Sequence, residues 1–124
     1  MDYTDYSPAA LGRILGRITD ALFAAELGYC EKYEERKNVS GEDDELTEYA
    51  LVQREAVWGV IEAAGLEDAY VKWKSSIVVA AMRTYKIADR REVTREMIGK
   101  QIERYLRDRD RERLEDLKKE MRES

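Results

Sequence analysis

Residues 7–30, SPAALGRILGRITDALFAAELGYC, decide the fold. Ser7 is placed to cap a helix, Pro8 falls at the first helical position where no N–H is needed, and Tyr6 can staple onto Leu11. From there Leu11, Leu15, Ile18, Leu22, Ala25 and Tyr29 recur at alternating spacings of four and three, the seam of a bundle or coiled coil. This predicts a first helix running to about Lys37, with that seam toward the core. A second stripe, Gly12, Gly16, Thr19, Phe23, Leu27 and Cys30, lies about a third of a turn away. It has two readings. The helix packs between two neighbours of its own bundle, or Gly12, Gly16, Phe23 and Leu27 mediate self-association, the glycines letting two backbones approach closely.

Outward from this helix, residues 38–44 (NVSGEDD) read as a turn leading into a second helix near Asp44. Asn38, Val39 and Ser40 match a glycosylation sequon, read here as loop. Leu46, Ala50, Val57, Val60, Ile61 and Ala64 share a face, and Gly65 followed by Leu66 reads as a glycine C-cap with its hydrophobic contact. Glu67 and Asp68 open a third helix at once, so the second and third should form a tight hairpin. That third helix is the most apolar, through Tyr70, Trp73, Ile77, Val78, Ala81, Met82 and Tyr85. Thr94 caps a fourth helix, with Val93 stapling to Ile98, and Ile102, Tyr105 and Leu106 continue its buried side. After the charged run at 107–113 (RDRDRER), an apolar strip of Leu114, Leu117 and Met121 resumes on a rotated face.

The expectation is an all-α, mainly antiparallel four-helix bundle with two long helices (N- and C-terminal) and two shorter ones, open to dimerisation. It forms a single helical domain over 1–124, with 1–7 an N-terminal arm and 107–124 a charged C-terminal extension of the last helix. One proline, seven glycines and 40% charged residues agree with helix throughout. The single cysteine rules out an internal disulfide framework, and no apolar run approaches a membrane span, so a cytoplasmic protein without a membrane partner is expected.

The chain has no histidine, which removes the commonest general base and transition-metal ligand. No catalytic residue, cofactor or metal is expected. Function is expected to reside in surfaces, as a non-enzymatic accessory, adaptor or inhibitor protein acting through protein–protein interaction and forming a homo-oligomer. Its size and charge density suit a viral or mobile-element factor. Leu51 and Trp58, seven residues apart on the far side of the second helix, are candidate partner contacts, as are Leu114, Leu117 and Met121.

Charge divides the middle of the chain: residues 38–69 hold nine acids against one base, and residues 70–104 hold nine bases against four acids. Lys72, Arg83 and Lys86 fall on one side of the third helix, followed by Arg90, Arg91 and Arg95. This stripe pairs with the acidic second helix of the same or a neighbouring subunit, contacts a phosphate backbone, or meets an acidic protein partner; the second reading makes a nucleic-acid-associated subunit the alternative function. The net charge of −5 opposes attraction to a polyanion. The acidic groups Glu31, Glu34, Glu35 and Glu42, Asp43, Asp44, Glu45 give a faint resemblance to all-helical nucleotide pyrophosphohydrolases, which would imply a Mg²⁺-dependent enzyme. The second group is better read as negative charge at a helix N-terminus. Asp2 to Tyr6 alternate acids and tyrosines and could serve as a short recognition segment.

Overall fold

The computed structural model describes residues 6–123, in the order α1 (Pro8–Ser40), α2 (Glu45–Ala63), α3 (Glu67–Tyr85), a 3-10 turn (Arg90–Glu92) and α4 (Arg95–Glu123). Most of the N-terminal arm lies outside the described residues. The fold is all-helical, and its helix contacts form a bundle in which α1 touches each of the other three. With 33 and 29 residues, α1 and α4 are about 50 and 44 Å long, against about 29 Å for the 19-residue α2 and α3. The long pair therefore projects beyond the short pair.

Local chemistry sets the ends. Ser7 Oγ accepts from the Ala10 N–H at 3.1 Å, Asp44 from Leu46 at 3.0 Å, and Thr94 from Met97 at 3.2 Å. Val93 and Ile98 are both buried, the staple expected at the start of α4. Gly65 turns the chain at φ +68°, and the Leu66 N–H returns to the Ile61 carbonyl at 3.0 Å, as a glycine-terminated helix requires. One end differs from expectation: α1 continues through the sequon to Ser40 and stops at Gly41, whose N–H reaches the Lys37 carbonyl.

The larger difference is the face α1 turns inward. Phe23 (5% exposed) and Leu27 (0%) lie in the core with Ile61, Tyr70, Trp73, Ile77, Ile98 and Ile102. The Phe23 ring sits 5.5 Å from Tyr70 and 5.7 Å from Trp73. Leu15 (61%) and Ile18 (55%), from the seam expected inside, face solvent. The second stripe is the intramolecular seam, so Phe23 and Leu27 cannot meet a second copy in this fold. At the N-terminal end of the stripe the glycines are not packed in this way: a Cβ on Gly12 would meet open space, and one on Gly16 would touch only the Arg113 side chain of α4. On α2 the buried face is likewise rotated, with Thr47, Ala50 and Ile61 inside and Leu46 and Val60 exposed.

Candidate docking surfaces

Where α1 meets α4 the seam is polar. Asp20, 6% exposed, accepts from the Tyr105 hydroxyl at 3.1 Å, pairs closely with Arg113 and lies 3.7 Å from Arg109. Burial, helped by the Asp20 charge, pushes the Tyr105 phenol up, so it remains a donor at neutral pH. Arg13 pairs with Glu120 and Arg17 with Asp110; further along, Glu31 meets Arg90 and Glu35 meets Arg95. The charged run at 107–113 is thus partly an interhelical clamp.

Beside this clamp lies the first candidate surface. Ile14 and Ile18 of α1 face Leu114 and Leu117 of α4 across an open groove of about 460 Å³. Arg13, Arg17, Asp110 and Arg113 flank it, and most of their charge is spent on one another and on the clamp. Leu15 extends the apolar surface along α1, Leu114 (48%) and Leu117 (39%) extend it on α4, and Met121 lies beyond them on α4, also exposed. The sequence pointed to the α4 half of this surface; of the α1 half, Leu15 and Ile18 come from the seam assigned to the core and Ile14 from neither stripe.

Leu51 and Trp58 stand elsewhere. Both are half-buried and line a second cavity of about 370 Å³ with Glu26, Arg54, Glu55 and Tyr70. Trp58 packs against the core, its ring 5.7 Å from Tyr70 in an edge-on arrangement.

The basic residues do not form one free stripe. Arg90 bonds Glu31 at 2.8 Å, Arg95 bonds Glu35 at 3.2 Å, and Arg91 bonds Asp89 at 2.8 Å. Lys72, Arg83 and Lys86 remain exposed on α3 and its left-handed C-cap. The acids that meet Arg90 and Arg95 belong to α1, not to the acidic α2. Glu42 pairs with Lys37 and Asp44 caps α2, and among the described residues no three His, Cys, Asp or Glu side chains stand together to hold a metal ion. No described helix is long and apolar enough to cross a membrane. No family model, no curated protein and no solved structure matches this chain.

Proposed function

We propose that this chain is a non-enzymatic helical accessory or adaptor protein that acts by protein–protein contact, and that its contact face is the outer seam of α1 with Leu114 and Leu117 of α4. The observation that carries this is the exposure of Leu15 and Ile18 in the middle of a regular coiled-coil seam. Leu11, Leu15, Ile18, Leu22, Ala25 and Tyr29 keep the spacing that fits another helix; Leu22 packs on the core and Ala25 and Tyr29 line a cavity against α4, which leaves the N-terminal half of the seam as the free part. Clustered exposed apolar side chains of this kind mark interaction sites. A second copy of α1 is the occupant we assign, because two identical seams match in pitch and length and symmetric pairs are the commonest oligomers. Burying such a seam contributes roughly 25 cal/mol per Å² of apolar area removed from water.

The phosphate-binding alternative has less support, since half of its six bases already bond carboxylates within the chain. Affinity capture from the native host separates the two functions, using wild type, Leu15→Lys/Ile18→Lys and Arg83→Glu/Lys86→Glu as baits. Protein partners lost only from the α1 variant are the expected result. Nucleic acid captured by wild type and lost only from the α3 variant would transfer the function to the basic residues.

A further inference from the structure

α2 carries an unpartnered seam of its own. Leu46, Tyr49, Gln53, Ala56, Val60 and Ala63 recur at alternating spacings of three and four, and Val52 adds to the same side. Because α2 buries Thr47, Ala50 and Ile61, this side is left in solvent: Leu46 is 52% exposed, Tyr49 60%, Val52 62% and Val60 53%, and Ala56 and Ala63 are exposed too. Its two borders differ. Gln53 lies toward α1, where Lys32 Nζ donates to its Oε1 at 3.1 Å and sits 6.0 Å from the Tyr49 ring centre. On the other side of the line through Tyr49, Ala56 and Ala63, Glu48, Glu55 and Glu62 recur every seven residues and form a parallel row, about 100° round the helix. All three are exposed, and among the described residues none bonds a cation; Arg54, the one base between residues 38 and 69, lies 3.7 Å from Glu26. Clustered exposed apolar side chains mark an interaction site, and the acidic row says of what kind. It attracts a helix with Lys or Arg in the facing row and repels an acidic one. It also turns away nucleic acid and anionic membranes, which are met by basic helices.

We propose that this face of α2 docks a basic amphipathic helix of a partner protein. The partner's apolar side chains lie along Leu46, Tyr49, Val52 and Val60, and its Lys or Arg row meets Glu48, Glu55 and Glu62. Ala56, Gly59 and Ala63 carry little or no side chain at the other end of the seam, where a Cβ on Gly59 would meet open space, so the partner's backbone can come close there. The site is separate from the outer α1 seam, and a chain paired through α1 still presents it.

The probe is a synthetic peptide of about three heptads with Leu at the seam positions and Lys at the flanking ones, labelled with fluorescein and held at trace concentration. One control has Glu in place of every Lys, and another has the Lys peptide's composition in scrambled order. Anisotropy is followed with the full chain carrying Leu15→Lys/Ile18→Lys, so that the α1 seam takes no part. The Lys peptide should saturate with a dissociation constant of about 10–100 μM, at least about tenfold tighter than either control. Glu48→Lys/Glu55→Lys/Glu62→Lys should reverse the preference between the Lys and Glu peptides, and Val52→Asp/Val60→Asp should weaken binding of the Lys peptide about tenfold or more. Both sets of substitutions are at exposed positions, and circular dichroism checks that helicity is native. No saturation by the Lys peptide, or equal binding of a control, overturns the proposal whatever the variants' folding. An unchanged preference in the folded Lys variant does so as well. Self-association of the Leu15→Lys/Ile18→Lys chain that Val52→Asp/Val60→Asp abolishes would also overturn it, and would give the face to a second copy.

Discussion

The two seams of α1 have the same spacing and opposite fates. The one through Leu11, Leu15 and Ile18 is richer in aliphatic residues, yet Leu15 and Ile18 face solvent; the one through Phe23, Leu27 and Cys30 carries an aspartate and a glutamate on its face, yet it is buried. The difference lies in what the other helices offer. Asp20 finds Arg113 and Tyr105 on α4, and Glu26 finds Arg54 on α2, while Phe23 finds the rings of Tyr70 and Trp73. Isolated acids on a buried face would be prohibitive, but acids with partners on neighbouring helices fix which face points inward. Hydrophobicity allowed either rotation of α1, and the polar partners select one.

Mutations at matched positions can break this contrast. Leu27→Ala should destabilise the fold by about 3–5 kcal/mol in urea or guanidinium titration, because it empties a fully buried site. Asp20→Ala should cost about 3 kcal/mol, since it strands Arg113, whose side chain is 12% exposed, and the Tyr105 hydroxyl. Leu15→Ala, on the other seam, should change the stability of the folded monomer by less than about 1 kcal/mol. A loss at Leu15 equal to that at Leu27 would mean that the two faces do not differ as described.

Glu26 sharpens the contrast through pH. Burial holds its carboxyl above the ordinary value of 4.5, desolvation outweighing the pull of Arg54. The folded state then binds this proton more tightly than the unfolded state, so ionising Glu26 opposes folding. That cost is absent below the ordinary value, grows as pH rises through the raised one, and is fully present above it. Glu26→Gln removes the titration. The stability of the variant relative to wild type should therefore rise as pH increases from the ordinary carboxyl value of 4.5 upward, as measured by denaturant midpoints at successive pH values. A flat or falling difference would place the Glu26 carboxyl at or below its ordinary pKa.

The caps at Ser7, Gly65 and Thr94 were legible in the sequence because their partners lie within five residues along the chain. The α3 core was legible because Tyr70, Trp73, Ile77 and Ala81 have no competing apolar face of equal strength. The rotation of α1 was not, since Asp20 and Arg113 are 93 residues apart and in a chain with 40% charge neither stands out. The one local signal was an acid interrupting an apolar stripe at position 20 and another beside it at position 26. Of the candidate surfaces, Leu114 and Leu117 could be read from the late apolar strip of α4. Their complement on α1 was hidden by the assumption that the more hydrophobic seam must be the inner one.

Sedimentation equilibrium of wild type beside Leu15→Lys/Ile18→Lys tests most directly whether the outer seam of α1 is a contact face. At about 100 μM, well above assay concentrations for a specific pair, wild type should sediment as a dimer and the variant as a monomer with an unchanged circular dichroism spectrum. A monomeric wild type, or a variant that still dimerises, would contradict it.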